Sequence, residues 1–140
     1  DVCIEDDLLP DVRPGAVAEI ERLRQDGCRV VLVSAAPRPM VERLAARLGL
    51  QDVVATDIAP AVDGRFSGRV EGACVLGDEK LRRLSSYADA AFGRWELVAA
   101  YGDQHTDGRL LAAARRPLAV SPCRRLTRLA DVKGWPVQVW

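Results

Sequence analysis

The sequence predicts an α/β protein, a Rossmann-like three-layer sandwich built on a mainly parallel sheet with a small β-hairpin flap. Two patterns carry that expectation. Strand-like apolar runs alternate with helical periodicity almost throughout, which calls for parallel strands joined by right-handed crossovers. The one break in the rhythm holds Asp63-Gly64, a hairpin turn signal between short flanking stretches.

Each element follows from its residues. Pro14 to Asp26 reads as a helix, with Pro14 in the first turn, Val17, Ile20 and Leu23 on one face and Gly27 as the stop. Cys28 to Ser34 contains the run Val30-Val31-Leu32-Val33, the pattern of a strand buried on both faces. Met40 to Leu48 has helical spacing and ends at Gly49; Asp52 to Thr56 is a short strand. The flap occupies Ile58 to Val70. Asp78 to Phe92 is a helix turning Leu81, Leu84, Ala88 and Ala91 inward. Then come a strand at Leu97–Tyr101, a helix at Thr106–Ala114, a strand at Leu118–Val120, a helix at Arg124–Lys133 and a last strand at Val137–Trp140.

Composition bounds the function. The 140 residues are 49% hydrophobic and 29% charged with zero net charge, a globular balance with no pull toward nucleic acid or anionic membrane. Of 20 basic residues only Lys80 and Lys133 are lysine, the rest being arginine interspersed with acids as on solvated helix faces. No apolar run approaches the ~18 residues of a membrane span. Cys3, Cys28, Cys74 and Cys123 are far apart, which suggests buried thiols in a reducing compartment and a cytoplasmic protein. The chain does not begin with methionine, so its natural start is expected upstream.

Three polar stations are candidates for chemistry. Ser34 ends the first predicted strand, and its hydroxyl with the following backbone N–H groups, Ala35 first, could cradle a phosphate; a plain helix cap is the other reading. Lys80 stands in the first turn of a helix, against the macrodipole, either balanced by Asp78 and Glu79 or aimed at an anion. Asp103 and Asp107 sit four residues apart where an apolar strand stops at Gly102. Strand carboxyl ends gather ligands in such sheets, and two carboxylates there suit Mg2+, unless both merely satisfy turn N–H groups. His105, the only histidine, is either a general base or an exposed turn residue.

Taken together, the order Ser34, Gly77-x-x-Lys80, Tyr101-Gly102-Asp103-x-x-x-Asp107-x-x-Leu110-Leu111 resembles the haloacid dehalogenase superfamily in its phosphoserine-phosphatase-like branch. The flap Asp63-Gly64-Arg65-Phe66-Ser67-Gly68-Arg69 and the tail Pro117-Leu118-Ala119-Val120-Ser121-Pro122 extend the likeness, which runs from Arg13 to Val137. It implies a Mg2+-dependent hydrolase of small phosphomonoesters acting through an aspartyl-phosphate. Ser34 and Ala35 would bind the phosphate, Lys80 would hold phosphate and nucleophile, Asp103 would ligate Mg2+, and Asp107 would support it directly or through water.

The superfamily's Asp-x-Asp-Gly-Thr motif does not occur here. The nearest acidic cluster, Glu5-Asp6-Asp7, would put Cys3 at the nucleophile position and Glu5 at the acid/base position, with no strand before it. Residues 1–13 are instead expected to be the end of a helical cap, with 14–140 an incomplete hydrolase core lacking its central nucleophile strand. The strands ending at Ser34 and Asp103 should then not pair, being separated by a slot of roughly 9–10 Å, two strand spacings. A non-catalytic phosphate- or partner-binding module is the alternative.

Overall fold

The computed structural model describes residues 12–60, 66–71 and 77–140. The chain divides into two compact units, Asp1–Val75 and Leu76–Trp140. Both are α/β with parallel strand pairing, as the alternating pattern requires.

In the first unit, helix α1 (Pro14–Gln25) starts with proline in its first turn and carries Arg22 and Arg24 in its last, where cations suit the dipole. Leu23 is buried and Ile20 packs on the core, but Val17 is exposed, so the apolar face is narrower than predicted. Strand β1 (Val31–Pro37) leads into α2 (Arg38–Arg47), then β2 (Asp52–Pro60) and β3 (Phe66–Glu71) follow in the order β1-β2-β3. Val41 and Ala45 of α2 bury against Leu50, Val53 and Ala55, with Leu32 and Ala36 of β1 alongside. Arg29 holds Asp52 through Nη2 to Oδ2 at 2.9 Å, fastening the entrance of β1 to the start of β2.

Two expectations for this unit need correction. The first strand begins three residues later than Cys28 and runs past Ser34 to Pro37, so Ser34 does not close it. Nor is it buried on both faces: among the described residues β1 is the edge of its sheet and every residue in it is only half-buried, whereas Val53, Val54, Ala55 and Thr56 of the central β2 are buried. The flap's ladder is antiparallel, pairing Asp57 with Glu71, Ile58 with Val70 and Pro60 with Phe66. Its turn at Asp63-Gly64, like the acidic cluster near the start, lies outside the described residues.

In the second unit, α3 (Asp78–Phe92) has its predicted bounds, with acids Asp78 and Glu79 in the first turn. Leu84 and Ala88 are buried, but Ala91 is exposed in the last turn and not inward. Strands β4 (Ala99–Gly102), β5 (Arg116–Val120) and β6 (Val137–Gln138) are parallel in the order β4-β5-β6. Strands β1 and β4 therefore belong to different sheets. The predicted helix Thr106–Ala114 is instead a 3-10 turn, His105–Asp107, followed by α4 (Gly108–Ala113). It ends early because Arg115 and Arg116 donate their N–H groups to the carbonyls of Leu97 and Val98. Helix α5 (Arg124–Lys133) matches its predicted bounds and carries Leu126 and Ala130, both fully buried, as are Leu111 and Ala119. Strand β6 stops at Gln138, two residues short of the prediction.

Candidate active site

In the second unit the candidate residues converge on the loop after β4. Gly102 ends the strand, Asp103 follows half-buried, and Gln104 caps the 3-10 turn that ends in Asp107. The chain tightens here because the main chain of Gln104 bonds Asp107 twice. The Gln104 carbonyl accepts the Asp107 N–H at 3.0 Å, and Asp107 Oδ2 accepts the Gln104 N–H at 3.2 Å. The other oxygen, Oδ1, accepts from Lys80 Nζ at 2.6 Å. Lys80 and Asp107 retain only 14% and 5% side-chain exposure, so this ion pair is largely desolvated. Lys80 is thus not simply balanced by Asp78 and Glu79. Those acids pair with Arg109 and Arg82 respectively.

Gly102 makes the arrangement possible. A Cβ added there would lie 2.7 Å from both Cβ and Oδ2 of Asp107, so the strand end must be bare for the carboxylate to lie against it. Gly102→Ala is expected to cost about 1–3 kcal/mol of stability through overpacking against an anchored side chain. Urea midpoints check this, and a loss near zero would mean Asp107 can move aside.

Helix α5 braces the same loop from behind. The Cys123 N–H donates to the Asp103 carbonyl at 2.8 Å, and Leu129 fills the space over Gly108, where a Cβ would come within 2.9 Å. His105 is exposed, its Nε2 3.3 Å from Arg125 Nη1. It has no carboxylate partner in these contacts to orient it as a base.

In the first unit, Ser34 and Ala35 lie inside β1, where the regular pairing with β2 lapses between Val33 and Pro37. Helix α2 begins only at Arg38, its cap is Pro37, and the first turn contains Pro39, so Ser34 is neither a helix cap nor directly at a row of helix N–H donors. Its Oγ accepts the Ala36 N–H at 3.1 Å, which leaves the hydroxyl proton to donate. Arg38, not singled out in the sequence, adjoins this segment. Its hydrogen bond to Asp57 holds the guanidinium above its ordinary range, so it is a paired cation.

Could these residues hold Mg2+? Among the described residues no group of three or more acidic, histidine or cysteine side chains is gathered for a metal. Mg2+ needs fewer, since it keeps several waters and takes one or two carboxylates plus substrate phosphate. Asp103 suits the role of direct ligand. Both oxygens of Asp107 are already engaged, so its contribution would pass through water or through Lys80.

In a parallel α/β unit, the carboxyl end of a strand, where this lysine–aspartate pair lies, is where ligands gather. Residues 2–112 match the haloacid dehalogenase-like hydrolase family, and the chain belongs to that family. It is 30% identical over 136 residues to the phosphoserine phosphatase SerB1 of Mycobacterium tuberculosis, covering 96% of this chain and 44% of that protein. A protein of unknown function from Bordetella pertussis Tohama I superposes with a TM-score of 0.85 at 29% identity, over 97% of this chain and 62% of that one. An apo phosphoserine phosphatase structure gives a TM-score of 0.70 at 25% identity, over 89% of this chain and 59% of that chain. The fold is therefore the Rossmann-like one of this family. The chain spans about half the length of the curated relatives it matches.

Proposed function

We propose that this chain is the phosphate- and metal-binding portion of a Mg2+-dependent phosphomonoester hydrolase that acts through an aspartyl-phosphate on a small phosphorylated substrate. The observation that carries the reading is the desolvated Lys80–Asp107 pair beside Asp103, all in one unit. A lysine held there offers a fixed positive charge to the oxygens of a transferring phosphoryl group. In the first unit, Ser34 Oγ and the Ala35 N–H would bind phosphate, as the family resemblance implies. Asp103 would hold Mg2+, which when bound neutralises charge on the phosphoryl oxygens. Asp107 fixes the ammonium of Lys80.

The carboxylate nucleophile is not among these 140 residues, because no Asp-x-Asp-Gly-Thr occurs in them. Covalent catalysis splits hydrolysis into two easier steps, and without it the remaining groups bind and stabilise charge only. The 140-residue chain is therefore read as an incomplete, inactive portion. No helix among the described residues is long and apolar enough to cross a membrane.

The test is a phosphatase assay with phosphoserine and other small phosphomonoesters in Mg2+. The 140-residue chain should show no turnover. A longer product of the same reading frame carrying an Asp-x-Asp strand should turn over, and Asp103→Asn should abolish that activity. Turnover by the 140 residues that is sensitive to Asp103→Asn would refute the incompleteness. An inert longer product that still binds phosphate would favour the second reading, a non-catalytic phosphate- or partner-binding module, which the missing motif also supports.

A further inference from the structure

Ser121 is the one non-glycine residue with a positive φ among the described residues, at 40°. That conformation crowds the Cβ of an L-residue, so the surrounding contacts must hold it in place. Ser121 follows the last residue of β5, and its N–H still donates to the Gln138 carbonyl of β6 at 2.6 Å. In a regular parallel ladder its own carbonyl would then accept from the residue two positions past Gln138, which is Trp140. Here the Trp140 N–H donates instead to Ser121 Oγ at 3.1 Å, and the hydroxyl returns a longer bond of 3.4 Å to the Trp140 carbonyl. The side chain has taken the carbonyl's place in the ladder. The main chain can therefore turn out of the sheet without leaving the Trp140 N–H unpaired. Trp140 is held at its ring too, which lies 5.9 Å from that of Tyr101, tilted by 34°.

The turn leads straight to the candidate site. Pro122 has its own φ restricted by its ring, so little freedom remains between Ser121 and Cys123. The Cys123 N–H donates to the Asp103 carbonyl at 2.8 Å, and Tyr101, against Trp140, lies on β4 two residues before Asp103. All of these residues belong to the second unit. We propose that Ser121 is a positioning residue for Asp103: its hydroxyl, tied to Trp140, holds the positive-φ turn that directs the Cys123 N–H onto the Asp103 carbonyl. What that placement does for a metal rests on the phosphatase reading above, but the placement itself is measurable without metal or turnover.

The 140-residue chain is followed by NMR, and amide hydrogen exchange at Cys123 is compared with that at Trp135. The Trp135 N–H donates to the Ala130 carbonyl at 2.9 Å, at the far end of α5, and serves as an internal reference. Ser121→Ala removes both hydroxyl bonds but keeps a Cβ that disfavours the turn. Exchange at Cys123 should rise about fivefold relative to Trp135, the factor one hydrogen bond is worth. The carbonyl carbon resonance of Asp103 should shift with it. Ser121→Gly also lacks the hydroxyl but adopts a positive φ freely, so it should return both readings toward those of the original chain. A hydroxyl that merely stabilised the fold would lower the urea midpoint in both variants and leave the Cys123 to Trp135 ratio and the Asp103 resonance unchanged. That result overturns the proposal. Equal rises in Ser121→Gly and Ser121→Ala overturn it as well, because the turn would then not be what transmits the effect. If Ser121→Ala does not fold, Ser121→Cys, which keeps the side chain's shape and weakens both bonds, is read in the same way. Loss of the phosphatase reading would leave these ratios as they are.

Discussion

Asp107→Ala is expected to destabilise the protein by roughly 3 kcal/mol, the lower end of the range for breaking a buried ion pair. The cost arises mainly from what stays behind. Lys80 keeps 14% side-chain exposure, so its ammonium can reach some water, yet most of it would be desolvated without a counter-charge. The acceptor for the Gln104 N–H disappears as well. Replacing both partners should do less harm than removing one, because two apolar groups leave no charge behind. Lys80→Met combined with Asp107→Ala is therefore expected to unfold at a higher urea concentration than Asp107→Ala alone. Asp107→Asn should fall between, since the amide oxygen still accepts from Gln104 while the charge is gone. If Asp107→Ala loses less than about 1 kcal/mol, the pair is not a strong tie and Lys80 finds another partner.

If the proposed phosphatase reading holds, Lys80→Met is expected to lower kcat by roughly 10²–10³ in a longer product that includes a nucleophile strand. That factor is typical when one preorganised charge-stabilising donor is removed from an active site. On the proposed reading Lys80 would stabilise a charge spread over the phosphoryl oxygens, with its ammonium already held by Asp107 so that little reorganisation is needed. Lys80→Arg should not rescue it well. A planar guanidinium is longer and prefers a two-oxygen fork, whereas Asp107 presents Oδ1 alone to the cation. Steady-state kinetics on a small phosphomonoester decide the matter. A kcat within threefold of the original in Lys80→Met would remove Lys80 from the reaction.

The difference between what could be read and what could not is one of range. Helices α3 and α5 have their predicted bounds because their signals are local: Asp78 and Glu79 open one and glycines end both. The antiparallel ladder of the flap follows from the turn signal between its strands. Asp103 and Asp107 were singled out where a strand stops and Lys80 in the first turn of a helix, whereas Ser34 was picked from a predicted strand end that the structure moves to Pro37. The part played by Gln104 was not legible because it is made by its main chain, whose N–H donates to Asp107 Oδ2. Gly102 was noted as part of a motif, but the closeness of Asp107 that requires it appears only in three dimensions.

The chain's local chemistry determined the alternation of helix and strand, the polar residues at the strand ends and the family to which they point. Those depend on periodicity, capping and spacing, which act over a few residues. Tertiary structure alone decided that Lys80 pairs with Asp107, that both oxygens of that carboxylate are engaged, and that Ser34 lies inside β1. It also decided that β1 is an edge strand, half-buried despite its apolar run. Burial and ion pairing join residues far apart in sequence, and their geometry is set by packing that no short window of sequence contains.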